Sequence, residues 1–227
     1  MQASSIEAPF NCDRLDQQAE KAFEYFLASR YFALKDIELE PQRLPGVYTL
    51  YYRGIHPSYK AWATHFPDQP LYAGKAAKSV KARLRNHLKS LSYVTNLDPD
   101  DFVFRRLHLS KGIWSSSMEA YFIALYQPPW NDLVTGFGNN GQGAPRATTT
   151  ISDWDHLHPG RDRATSMEGA TELAEVQMRV TRAAEVLRQR LKRLDVPEME
   201  FTLKHAGLRP LVWQPPPLPL QATLSLE

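Results

Sequence analysis

Six side chains of kinds that move protons or hold phosphate stand in order along this chain. Gly46-Val47-Tyr48 opens an apolar, β-branched run, and Tyr72-Ala73-Gly74-Lys75 closes a second one. Arg83 and His87 are four apart, so a helix stacks them on one face. Glu119 falls in a helical stretch, and Asn131 follows twelve residues later, just past Pro128-Pro129-Trp130. Phenols, imidazoles and carboxylates exchange protons, while guanidinium and ammonium groups suit phosphate oxygens. Each position alone has an ordinary structural reading, since strand tyrosines pack half-buried and helix glutamates are mostly solvated. The local charge leans toward phosphate. Between residues 75 and 111, nine basic side chains stand against three aspartates, a net +6 in a chain whose total is +2. A basic helix with aromatics nearby is the footprint of a phosphate-backbone binder, although a solvated helix face gives the same count.

The elements that must carry these groups can be read from periodicity. Residues 13–34 repeat apolar positions at helical spacing, with Leu15, Ala19, Ala22, Phe23, Phe26 and Leu27 on one face. Residues 46–52, 71–74 and 102–109 read as strands. Between the first two lies an excursion with one helical turn at Tyr59–His65. Residues 78–93 carry Val80, Leu84, Leu88 and Leu91 as one stripe. A helix over 115–126 ends at Pro128-Pro129. Residues 131–165 read as a long loop region, which in a compact domain is usually functional. A last amphipathic helix spans 172–194, and the proline-rich tail from 210 suits an extended arm.

Length and composition, with 43% hydrophobic residues among 227, fit a globular chain with a real core. No apolar run approaches the ~20 residues of a membrane span, so no membrane partner is expected. The N-terminal stretch has no basic-then-apolar pattern, so no secretory signal is expected and a bacterial cytoplasmic location is. One cysteine, Cys12, excludes an intramolecular disulfide framework and a Cys-based zinc site.

The ordered set Gly46-Val47-Tyr48, Tyr72-Ala73-Gly74, Arg83, His87, Glu119, Asn131 resembles the GIY-YIG nuclease superfamily. There, two tyrosine-bearing strands precede a helix with Arg, a helix with Glu, and an Asn. Two departures point to one branch. The tyrosines are 24 apart, so residues 53–70 form an insertion, and His87 stands where tyrosine is common. Phe10-Asn11 with Leu15-Asp16, Gly136-Phe137-Gly138-Asn139-Asn140 and Trp154-Asp155-His156-Leu157-His158-Pro159-Gly160-Arg161 agree with it. They resemble type II restriction endonucleases that cut a GC-rich six-base palindrome.

The resemblance implies an α+β fold in which a small, mainly antiparallel sheet is flanked by helices. It implies a single nuclease domain over 1–227 with its core at 45–135. Around it stand an N-terminal helical segment at 13–40, the insertion at 53–70, recognition loops at 136–165 and a C-terminal helix and arm at 170–227. Implied roles follow. Glu119 would hold Mg²⁺, or another divalent cation such as Mn²⁺; Arg83 would bind the scissile phosphate; Tyr48 is favoured to activate water. Lys75 is the cation expected to favour its phenolate, His87 a second aid or proton relay, and Tyr72 an orienting hydroxyl. Asn131 would hold local structure. Which residue is the base stays open. Lys78, Arg105, Arg106, Asn139, Asn140, Gln142, Arg146, His158 and Arg161 are the expected contacts to double-stranded DNA. A palindromic site implies a homodimer, and a restriction enzyme implies a cognate DNA methyltransferase as genetic partner. The alternatives are a repair or recombination nuclease of the same superfamily and a catalytically silent DNA-binding module.

Overall fold

The structure, a computed structural model, describes residues 13–41, 43–138, 150–161, 168–169 and 172–193. Its centre is a four-stranded antiparallel sheet in the order β1-β4-β2-β3. The strands are β1 (Phe32–Ala33), β2 (Gly46–Tyr52), β3 (Tyr72–Ala76) and β4 (Phe102–His108). Every residue of β2 is buried: it is an inner strand, paired over most of its length on both sides, with helices over both faces. That burial explains why it is apolar and aromatic along its whole length rather than alternating.

Strand alternation divides the sheet into two faces. Tyr48, Leu50, Tyr52, Tyr72, Ala76, Phe102 and Phe104 share one core with α3 (Val80–Ser92). Val47, Ala73 and Leu107 share the other with α1 (Asp13–Leu27) and α4 (Ser115–Tyr126). In α4, Met118, Phe122 and Tyr126 recur every fourth residue and are buried. The helix ends at Gln127, whose left-handed backbone (φ 47°) turns the chain ahead of Pro128. In α3, Ser79 caps the N-terminus by accepting from the Ala82 amide at 3.2 Å. Val80, Leu84, His87 and Leu91 form its buried stripe, so the histidine occupies a core position of the helix.

The expected loops hold more structure than their composition suggests. The insertion contains α2 (Lys60–His65) and sends Tyr59, Trp62 and Phe66 inward, so it contributes to this chain's own core. Past α4 come α5 (Pro129–Asp132), the pair β5 (Thr150–Ile151) with β6 (Glu168–Gly169), and α6 (Asp153–Leu157). The last element, α7 (Leu173–Arg193), buries Val176 and Val180. Asn139, Asn140, Gln142 and Arg146, and the C-terminal arm, lie outside the described residues. Among the described residues no helix is long and apolar enough to cross a membrane.

Candidate active site at the edge of the sheet

The register pairs Tyr48 with Gly74 and Leu50 with Tyr72, which brings both motif tyrosines to one face of neighbouring strands. Their rings lie 6.3 Å apart. Both motif glycines are forced by close approach. A side chain at Gly74 would collide with the Tyr48 hydroxyl, 2.7 Å from the added carbon, and with the Tyr72 ring; one at Gly46 would enter the Leu107 carbonyl. α3 lies over this face and delivers two groups. The Tyr48 hydroxyl is 2.7 Å from His87 Nε2, and the positive charge of Arg83 bears on both phenols. Arg83 also donates to the Gly138 carbonyl at 3.2 Å.

Glu119 comes from the other face. Lys75 alternates away from Tyr48, onto the α4 side, where its Nζ pairs with the Glu119 carboxylate at 2.8 Å. The site therefore wraps around β3, the edge strand. Asn131 fastens that strand: its side-chain Nδ2 donates to the Ala73 carbonyl and its Oδ1 accepts from the Ala73 amide, each at 2.9 Å. The adjacent Trp130 amide donates to the Leu71 carbonyl at 2.9 Å. A cleft of about 770 Å³ opens over the edge, lined by Tyr72, Lys75, Lys78, Arg83, Glu119 and Asn131 among others. A smaller groove of about 520 Å³ adjoins it, with Arg43, Lys78 and Arg85 on its walls.

Burial sets the protonation of the site. Removal from water pushes the Tyr48 phenol well above the ordinary tyrosine range; Tyr72 and Glu119 add to the rise and Arg83 works against it. Tyr72 is raised for the same first reason. His87 is brought down to about 3 by burial, with the positive charges of Arg83 and Arg161 adding. Its ring is therefore neutral, and in the tautomer protonated at Nδ1 its Nε2 accepts the Tyr48 hydroxyl hydrogen bond.

Several sequence expectations need correction. The cation beside Tyr48 is Arg83 and not Lys75, because strand alternation sends Lys75 to the opposite face. Arg105 is 1% exposed and lies 3.9 Å over the Tyr31 ring, so it is an interior residue and not a DNA contact. Arg106 points to the other face and pairs with buried Glu40 at 2.5 Å. His158 is fully buried between Tyr59 and Asn96, at 2.6 and 2.9 Å. Arg161, 7% exposed, is held by Asp155. Of the basic helix itself, Lys81 is buried against Glu38 and Arg85 is paired with the same carboxylate. The positive charge facing the cleft thus narrows to Lys75, Lys78 and Arg83. Sequence reasoning passed over Arg43, an isolated arginine in a turn with no periodic or motif signal. It also named Phe137 only as part of a motif, without a role.

An antiparallel sheet carrying two tyrosines, an arginine helix and a glutamate helix around one edge strand defines a nuclease core of the GIY-YIG type. Residues 40–184 match the family model described as the Eco29kI GIY-YIG domain, and the chain belongs to that family of restriction-type nucleases. No curated protein matches the chain.

Proposed function

We propose that this chain is a type II restriction endonuclease that hydrolyses double-stranded DNA at a specific, GC-rich palindromic site. The observation that carries the reading is the convergence of Tyr72, Arg83 and Glu119 on one open cleft, with the Tyr48–His87 pair directly behind it. The fork of Arg83 suits two phosphate oxygens at once. In the free chain that fork lies against the phenols and the Gly138 carbonyl, so an arriving phosphate takes it over and uncovers the Tyr48 hydroxyl. Lys75 and Lys78 flank the same cleft and add sequence-independent attraction for the backbone.

Tyr48 cannot act as a stored phenolate, since burial holds its proton firmly. The 2.7 Å contact with neutral His87 supports a relay instead. A phosphate bound to Arg83 offsets one of the charges that, with burial, hold His87 low. Tyr48 can then take a proton from the attacking water as its own passes to His87 Nε2. Tyr72, at the cleft wall, orients water or phosphate through its hydroxyl. Asn131 acts by holding β3, and with it both Tyr72 and Lys75.

Among the described residues Glu119 is the only carboxylate lining the cleft, and no cluster of three acidic, histidine or cysteine side chains could hold a metal alone. One hard oxygen in a roomy polar cleft fits a divalent ion such as Mg²⁺ or Mn²⁺, which keeps several waters. Such an ion supplies charge neutralisation at phosphate and a more acidic water. Lys75 holds the Glu119 carboxylate in place. A palindromic target further implies a homodimer, one strand cut by each subunit. A DNA methyltransferase would protect the host site.

Incubating the protein with plasmid and Mg²⁺ tests the reading. Discrete fragments are expected. A smear, or a preference for branched substrates, would replace it with a repair or recombination nuclease. Binding without cleavage would leave a silent DNA-binding module.

A further inference from the structure

Thr135 to Gly138 lie across the Tyr48–His87 pair as a short strap. The Phe137 ring stacks on the His87 imidazole, with centroids 4.6 Å apart and 17° between planes. It meets Tyr72 edge-on at 5.2 Å, and Trp130 and Trp154 support its far side at 4.6 and 5.0 Å. The carbonyl of the next residue, Gly138, receives the Arg83 guanidinium. A side chain at Gly138 would strike the Tyr72 hydroxyl, and one at Gly136, whose φ is +119°, would strike Ser152. Two glycines thus let the strap lie this close. A clamp holds it from behind. The Trp154 amide donates to the Thr135 carbonyl at 3.1 Å, and Arg161 donates to the Gly136 carbonyl at 3.4 Å. Arg161 is paired with Asp155 and lies 4.4 Å over the Trp154 ring, while Ser152 donates to the Asp155 carboxylate at 2.6 Å.

We infer that Gly136-Phe137-Gly138 is a positioning strap for the reacting groups. Phe137 holds the His87 ring against the Tyr48 hydroxyl, the Gly138 carbonyl aims Arg83, and the Asp155–Arg161 pair locks the strap. The hydrogen bond to Tyr48 fixes one atom of the imidazole; a flat ring laid on its face fixes the plane. The charged and titratable groups that face His87 are Tyr48, Tyr72, Arg83 on its own helix, and Arg161 from the clamp. The motif around Trp154 and Arg161 is thereby assigned to shaping the site rather than to reading bases. What the strap serves rests on the proposed nuclease reading; the geometry of the strap does not.

The test measures single-turnover cleavage of a supercoiled plasmid that the wild-type protein cuts. Binding of a fragment of that plasmid in Ca²⁺ and the ring-nitrogen NMR signals of His87 are recorded beside it. Phe137→Ala is expected to slow cleavage roughly 100-fold, the cost of a misplacement of about 1 Å, with binding little changed and the His87 Nε2 signal shifted. Phe137→Leu keeps apolar volume without the flat face and is expected to recover part of the rate. Wild-type cleavage by Phe137→Ala, an unmoved His87 signal, or parallel losses of rate and binding would each overturn the strap. If Phe137→Ala does not fold, Phe137→Leu and Arg161→Lys carry the test: slowed cleavage with intact binding supports the strap, and wild-type rates in both refute it. A wild-type protein that cuts no DNA refutes the nuclease reading alone. The strap is then decided by the His87 signal of the Phe137 variants.

Discussion

Two buried tyrosine–histidine pairs in this molecule are built nearly alike. Tyr48 meets His87 Nε2 at 2.7 Å and Tyr59 meets His158 Nε2 at 2.6 Å, each inside a cage of aromatic rings. Burial raises both phenols and lowers both imidazoles. Their surroundings differ. The second nitrogen of His158 is closed by the Asn96 side-chain oxygen, and the pair ties the insertion to the turn after α6. The Tyr48–His87 pair stands behind Arg83 and Tyr72, at the back of the cleft that holds Glu119. Residue types and pairing geometry therefore do not mark a reactive pair. Access to a cleft does; a cation alone does not, since Arg161 bears on both histidines.

Breaking the open side should have the largest effects. Glu119→Ala is expected to reduce plasmid cleavage by about 1,000-fold or more, as loss of several kcal/mol of charge stabilisation implies, while binding persists; a fully active variant would sink the metal assignment. Tyr48→Phe should lower the single-turnover rate by roughly 100- to 10,000-fold, the usual range for a proton-transfer group. Tyr59→Phe is the matched control. It should keep the wild-type rate and lower unfolding free energy by about 1–3 kcal/mol, the cost of stranding a buried partner, as read from urea titrations. Equal rate losses in the two phenylalanine variants would erase the distinction. Asn131→Leu, which removes both contacts with Ala73, should cost a comparable stability and also slow cleavage, because β3 carries Tyr72.

The smallest effect is one the two pairs should share. Each histidine has a folded-state pKa below its unfolded value, so between about 6.5 and the folded value the unfolded chain binds a proton that the folded chain does not. Stability is therefore full above pH 6.5 and is lost as pH falls, for His87 toward about 3. Melting temperatures measured from pH 7 to pH 5 should drop, and replacing either ring should flatten the slope. A pH-independent melting temperature would contradict the burial of both rings.

Much of this was legible in the sequence because it was local. The run Gly46–Tyr52 is a strand by composition, and the ordered tyrosines, arginine, histidine, glutamate and asparagine come together at the candidate site. Lys75 shows where a local rule went unused. Tyr72 and Gly74 fix one face of β3, so alternation alone sends Lys75 to the other. The same rule separates Arg105 from Arg106, which cannot both face one duplex. The burial of Arg105 and His158 was not legible, since it depends on Tyr31, Tyr59 and Asn96, which are distant in sequence. A histidine on an apolar helix stripe looks like a core residue, and His87 is one. The hydroxyl it meets comes from the strand beneath.

The grip of Asn131 on Ala73 bears also on solubility. An outer strand with free amides and carbonyls is a template onto which another chain can add. Here a side-chain amide imitates a neighbouring strand at Ala73, the Trp130 amide takes the Leu71 carbonyl, and charged, half-exposed Lys75 stands at the next outward position. At the opposite margin β1 is only two residues long. The strand that carries the site can thus stay open to a ligand on its flank without recruiting β-strands from other copies, so a lost Asn131 should show first as self-association in concentrated solution.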